Sequence, residues 1–176
     1  AYDLPLELCA EIAAAARDLD ALLHIHVCET QDEGIELESA HEGRSTVQLL
    51  AEHGILDGRV LAAHSVWLND ADIETYAQHE VSVAHCPVSN MKLGSGVARV
   101  PVMRSRGIEV GLATDGPASN DDLDLWQEIK FAPLLARVSA LDASAMSPQD
   151  ALRMATVEGS RAIGNFDVGS LERGQR

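Results

Sequence analysis

The sequence predicts an α/β fold built from parallel βα units. Three observations carry this reading. Four short apolar segments alternate with helical stretches along the chain. Those segments hold few polar positions that could face solvent, as a sheet covered on both faces requires. Each of them also ends on or beside a histidine or an aspartate.

Residues 5–19 (PLELCAEIAAAARDL) are Ala-rich and free of glycine, with Pro5 suited to a first turn, so they predict a helix. A strand follows over 21–27. TQDEGIELESAHEG and STVQLLAEHG predict two helical pieces, the second capped by Ser45 and stopped by Gly54. RVLAAH (59–64) is the second strand. In NDADIETYAQH, Asn69 is a plausible cap and the acids of the first turn suit the positive end of a helix dipole. VSVAH (81–85) is the third strand, and CPVSNMKLGSG after it reads as a loop. A short helix ends at Gly107, IEVGLAT (108–114) is the fourth strand, and helices fall near 121–138 and 147–163. DVGSLERGQR is the only candidate linker.

A chain of 176 residues with 46% hydrophobic content can bury one sizeable core. Its 28 acidic side chains against 13 basic ones give a net charge of -15, which repels phosphate backbones and anionic lipid surfaces and excludes nucleic-acid polymers and membranes as partners. Three cysteines without a CxxC pair argue against a disulfide framework and suit the cytoplasm. No apolar run approaches the roughly 18 residues of a membrane span, and the first residues lack a signal-peptide pattern. A chain that starts on Ala1 is expected to begin inside a longer polypeptide.

The polar residues are the informative ones. His26, His64 and His85 end the first three strands and Asp115 follows the fourth, and in a parallel sheet these ends share the edge where catalytic groups of βα barrels collect. One such histidine is usually a hydrogen-bonded structural residue, but four polar groups at four equivalent positions point to function. His26 and Asp115 are nitrogen and oxygen ligands suited to Zn²⁺ or Fe²⁺, and Glu29 stands beside His26 in an HxxE pattern. His24 shares the face of His26 one layer deeper, and packing or support of a neighbouring ligand is expected of it rather than direct ligation. Cys28 reads as a filler, and His41, His53 and His79 as solvated surface. Ser89 and Asn90 are placed to line the pocket mouth, and Asn90 equally to cap or close the turn of their loop. Trp67 either stacks on a base or packs.

The segments HIHVCET, AAHSVWL, VAHCPVSNMKLGSG and LATDGPASNDDLDL, with MSPQDALRMATVEGSRAIG, resemble the amidohydrolase superfamily from about residue 20 onward. Within it they are similar to the 5-methylthioadenosine/S-adenosylhomocysteine deaminases, with guanine deaminases and triazine chlorohydrolases close by. The resemblance implies a (β/α)8 TIM-type barrel of the metal-dependent hydrolase kind, with one divalent ion held by an HxH pair on the first strand, a histidine on the fifth and an aspartate on the eighth. His24-Ile25-His26 invites assignment as that HxH, but only three strands follow it. Counting back from Asp115 puts His26 on the fifth strand, His64 on the sixth and His85 on the seventh. The chain is therefore expected to be the second half of such a barrel over 1–166, with 167–176 opening the tail toward a small β-sandwich domain.

What the resemblance further implies is hydrolytic deamination of an adenosine-type nucleoside (S-adenosylhomocysteine, 5-methylthioadenosine or adenosine), active only in the complete barrel. His26 and Asp115 are then the metal ligands, and the ion is Zn²⁺, with Fe²⁺ or Mn²⁺ as alternatives. Glu29, His64 and Asp115 are the catalytic groups: Glu29 shuttles a proton to the ring nitrogen, His64 orients the hydroxide, and Asp115 accepts the proton of the attacking water. Glu29, His85, Ser89, Asn90 and Asp115 contact the substrate. The expected partners are the missing N-terminal half and a small-molecule substrate, with a homo-oligomer open. Three alternatives stand beside this: a triazine chlorohydrolase, a guanine or 8-oxoguanine deaminase, and an inactive binding or assembly descendant of the enzyme.

Overall fold

The computed structural model of the chain describes residues 4–174. The last two residues of the expected tail and the first three of the chain lie outside them. Four strands, β1 (Leu23–Val27), β2 (Val60–His64), β3 (Ser82–His85) and β4 (Val110–Leu112), pair in parallel in the order β1-β2-β3-β4. His26 lies opposite Ala63, Ala63 opposite Ala84, and Ala84 opposite Gly111, so all four carboxyl ends reach one edge. The four predicted strands and their shared edge are therefore present, each shorter than its apolar run.

Five of the described helices begin where a short polar side chain accepts from a free backbone N–H group. Ser45 starts α3 (Thr46–Glu52), Asn69 starts α4 (Asp70–Gln78) and Ser147 starts α9 (Pro148–Met154), each with a reciprocal capping box. The first helix, α1 (Leu6–Asp18), and α2 (Gln31–Ala40), which Thr30 caps, lie within their predicted ranges. Three predictions need correction. CPVSNMKLGSG is not all loop: Pro87 opens α5 (Pro87–Lys92), because its fixed φ and missing N–H suit a first helical turn. The stretch 147–163 is two helices, α9 and α10 (Val157–Ala162), since Thr156 leaves the helical region at φ -127°, ψ -101°. Before α8 (Leu125–Ala140), Asp121 at φ 76° cuts off a short turn of helix, α7 (Pro117–Asn120), whose hydrogen-bonding neighbours recur below. The short helix predicted before Gly107 is α6 (Val100–Ser105).

The main core joins Val27, Val60, Ala62, Val83 and Val110 to α1, α3, α4 and α8 through Ala13, Leu50, Ile73 and Ala132. The alternate residues of the sheet face the other way, where a small cluster of Leu61, Ala84 and Ala162 is joined by Leu22 and Ala113. This second face is thinly covered, and His24 and His26 are exposed on it. His24 lies on this face beside His26 and outside the ligand cluster. No described helix is long and apolar enough to cross a membrane.

β4 and α10 approach at a pair of glycines. A Cβ on Gly111 would stand 2.8 Å from the Gly159 backbone, and one on Gly159 would stand 2.6 Å from the Met154 carbonyl. Gly111→Ala and Gly159→Ala are each expected to cost about 1–3 kcal/mol, the range of overpacked cores. Gly34, inside α2 with open space around it, should instead gain about 0.5–1 kcal/mol as alanine. Denaturant unfolding of the three variants checks both signs.

Candidate active site

The site is assembled where the strands end. His26 is on β1, His64 ends β2, and Asp115 follows β4. One ligand atom from each lies within 4.8 Å of the other two, the one such acidic or imidazole cluster among the described residues. Two nitrogens and a carboxylate oxygen form a donor set that fits a divalent ion of the zinc or iron kind.

Register alone would not bring these groups together. Val27 is the partner of His64, so regular pleating would send the His64 ring to the face opposite His26. His64 and Ser65 instead take φ of 66° and 52°, the left-handed region. The His64 ring lies stacked on that of His26, centroids 5.3 Å apart. Cys28 and Asp115 leave their strands at φ of 51° and 64°. Non-glycine residues in this region cost about 1–3 kcal/mol each, and they collect at functional sites.

Each group is held by a neighbour. Nδ1 of His64 is 2.9 Å from Oδ1 of Asn90, which assigns the proton to Nδ1. Nε2 of His64 is 3.5 Å from Oε2 of Glu29 and 3.9 Å from Oδ2 of Asp115. Ser89 donates to Oδ2 of Asp115 at 2.7 Å, and the Gly116 N–H donates to Oδ1 at 2.8 Å. Burial raises the Asp115 pKa, but these two bonds and the nearby imidazoles outweigh it, so the carboxyl lies below its ordinary value. Ser95 donates to Oε1 of Glu29 at 3.4 Å, and the Glu29 N–H donates to Glu33 at 3.1 Å.

The structure thus gathers Glu29, His26, His64 and Asp115 in one cluster and sets His85 beside it, with Ser89 and Asn90 beneath. Ser89 and Asn90 are buried and bonded to Asp115 and His64. Nδ1 of His85 and Nδ2 of Asn90 are buried with no hydrogen-bond partner. Cys28 is buried outside the cluster, and burial pushes its thiol up to about 12, as suits a filler. His53 bonds the Leu49 carbonyl and His79 faces Asp57, and neither joins the site, nor does His41. Trp67 keeps 44% of its surface exposed, and its indole N–H donates to the Ser95 carbonyl. Ser95 and Glu33 are the neighbours of Glu29 that sequence reasoning missed. Their one legible trace is the serine between the two glycines of KLGSG.

A parallel sheet with imidazoles and a carboxylate along its carboxyl edge defines part of a hydrolase-type βα barrel. The chain belongs to the amidohydrolase family, whose sequence profile matches residues 1–176. It is 45% identical over 174 residues to a 5'-deoxyadenosine deaminase of Methanothermobacter thermautotrophicus, covering 99% of this chain and 40% of that protein. It is also 45% identical over 175 residues to a 5-methylthioadenosine/S-adenosylhomocysteine deaminase of Pelotomaculum thermopropionicum, with the same coverage. Among solved structures, the zinc-bound adenosine deaminase of Xanthomonas campestris superposes with a TM-score of 0.93 at 35% identity, over 99% of this chain and 40% of that one. The chain therefore spans about 40% of the length of the relatives it matches, a partial barrel.

Burial, with a contribution from neighbouring His64, lowers the His85 pKa to about 4 from an ordinary 6.5. A histidine held neutral by the fold stabilises it fully above pH 6.5, and that stability is lost as pH falls through 4. Chelator-treated wild-type protein should lose about 3 kcal/mol more than His85→Gln between pH 7 and pH 4, read from denaturant midpoints at each pH.

Proposed function

We propose that this chain, within a complete barrel, carries out the hydrolytic deamination of an adenosine-type nucleoside. The observation that carries this reading is the approach of Glu29, His64 and Asp115 within 3.5 and 3.9 Å across three strand ends beside His26. His26 and Asp115 are the ligands this chain offers a divalent ion, with the partner half supplying the rest. The zinc of the Xanthomonas enzyme supports Zn²⁺ over Fe²⁺ or Mn²⁺. When bound, such an ion lowers the pKa of water from roughly 15.7 to about 7 and makes it a nucleophile at neutral pH.

The remaining work belongs to the protein. As water attacks the ring carbon that bears the amino group, Asp115, held in place by Ser89 and the Gly116 N–H, takes the water proton. The electron pair of the ring C=N bond moves to the ring nitrogen, which takes a proton from Glu29. His64, fixed by Asn90, orients the attacking oxygen and steadies the tetrahedral carbon. Asp115 then returns its proton to the amine, the C–N bond breaks to release ammonia, and the hydroxyl proton passes to Glu29 as the ring carbonyl forms, which restores both carboxyl groups. His85 Nδ1 and Asn90 Nδ2, buried and unpartnered, offer polar contacts to the substrate, while Ser89 acts on it through Asp115.

Relatives at 45% identity bear the names of 5'-deoxyadenosine and 5-methylthioadenosine/S-adenosylhomocysteine deaminases, which supports nucleosides rather than free bases. Triazine dechlorination uses the same attack, but Glu29 favours deamination, since a proton-delivering carboxylate matters most when ammonia must depart. Three unpaired, buried cysteines are in keeping with the cytoplasm. We assign 1–166 to the barrel and 167–176 to the stretch leading toward a β-sandwich. Its Gly169 sits against the Val157 backbone at the start of α10.

In the complete protein, His26→Ala is expected to lose metal and turnover together. Glu29→Gln should keep the metal yet lose roughly 10² to 10⁴ in kcat, the usual worth of a general acid-base group. Metal analysis beside an ultraviolet assay separates the two, and metal loss in Glu29→Gln would reverse the assignment. On a panel, 5'-deoxyadenosine, 5-methylthioadenosine, S-adenosylhomocysteine or adenosine should exceed guanine, 8-oxoguanine and a chlorotriazine in kcat/KM. A faster base or triazine would overturn the nucleoside reading.

A further inference from the structure

Behind the site lies a buried carboxylate that the mechanism does not use. Glu128, in the first turn of α8, is fully buried, and among the described residues no Lys, Arg or His stands in ion-pair range of it. An acid without a cation in such a place is costly, and it survives only where its oxygens are well bonded. Both are. Oε2 accepts from the Val88 N–H at 3.1 Å, and Oε1 accepts from Nδ2 of Asn120 at 2.7 Å.

The two donors lead to the two halves of the site. Val88 stands at the start of α5, and the next two residues are Ser89, bonded to Asp115, and Asn90, bonded to His64. Asn120 ends α7 and gives its other Nδ2 hydrogen to the Thr114 carbonyl at 2.5 Å, one residue before Asp115. Both hydrogens of that amide are therefore committed, while its Oδ1 is buried without a partner. The two oxygens of one carboxyl group can receive both Val88 and Asn120, which a single amide oxygen beside an NH₂ cannot.

We infer that Glu128 is a positioning residue: its carboxylate ties the β3-to-α5 turn to the Thr114–Asp115 turn and so fixes the separation of His64 and Asp115. This rests on the assignment of His26 and Asp115 as metal ligands. Glutamine at this position keeps the shape but presents one NH₂ to a donor, so one of the two turns is released.

The test uses the complete protein, freed of metal and titrated with Zn²⁺ and with Co²⁺, whose visible bands report the ligand arrangement. Glu128→Gln is expected to bind Zn²⁺ about 10- to 100-fold more weakly, the usual effect of removing an outer hydrogen-bond partner of a metal ligand. The Co²⁺ bands should shift while the melting temperature of the metal-free protein stays near wild type. Asn120→Ala should do the same, and the double variant should lose little more than either single one, because both cut one linkage. If Glu128→Gln fails to fold, Asn120→Ala carries the test alone. Unchanged affinity and unchanged bands would overturn the inference even if stability fell, leaving Glu128 a packing residue. A wild-type protein that binds no divalent ion would overturn the ligand assignment as well, which separates the two failures.

Discussion

His26 stands on one outermost strand of the sheet and Asp115 just past the end of the other, yet their ligand atoms lie within 4.8 Å of each other. Neighbouring strands are about 4.8 Å apart, so in a flat sheet three steps would separate β1 from β4 by roughly 14 Å. Convergence of their side chains requires a sheet curled toward the face that carries them, the curvature of a barrel sector. Everything else in the site depends on that curvature, because it turns a row of strand ends into an arc with a centre.

Curvature alone leaves the polar groups on alternate faces, and the left-handed backbone at His64, Ser65 and Asp115 corrects this. Each such residue stores energy that the surrounding structure must supply. Asn90 on His64 and Ser89 on Asp115 do so with hydrogen bonds, and Val27, Val66 and Leu68 do so with apolar packing on either side of the strand ends. The buried atoms left without partners, on His85 and Asn90, belong to this same layer. Strain, unpaired polar atoms and depressed pKa values thus occupy one edge of a sheet whose other positions, His24 and Ser82 apart, are apolar or glycine.

Much of the architecture was legible in the sequence because its signals are local. Alternating apolar runs fixed the number and direction of strands, and Ser45, Asn69 and Ser147 marked helix starts through hydrogen bonds within three residues of themselves. Counting strands back from Asp115 also kept His24-Ile25-His26 from being assigned to a first strand. What escaped detection depends on contacts across the fold. The helical turn at Pro87 was hidden by the polar residues after it, and the break at Thr156 carries no glycine or proline. Glu128 had a trace that went unused: with Ala132 and Ala136 it forms a buried stripe at intervals of four, where an acid is out of place. Pairing of Ser95 with Glu29 spans 66 residues and leaves almost none.

Exposure across the site says where the rest of the barrel belongs. His64 and His85, on the two inner strands, are almost wholly buried, whereas His26 on β1 is exposed and the Asp115 side chain after β4 keeps 21% of its surface. The groups that hold and orient by hydrogen bonds are complete within the chain, and the groups assigned as metal ligands are the open ones. Both edges of this sheet lack a neighbour among the described residues. On the proposed assignment the proton-transfer groups and their supports belong to this chain, and strands pairing with β1 and β4 would bring the remaining ligands and the cover over His26. The division explains how a chain spanning about 40% of its relatives can carry a finely held set of acids and imidazoles and still present its metal-facing side to solvent.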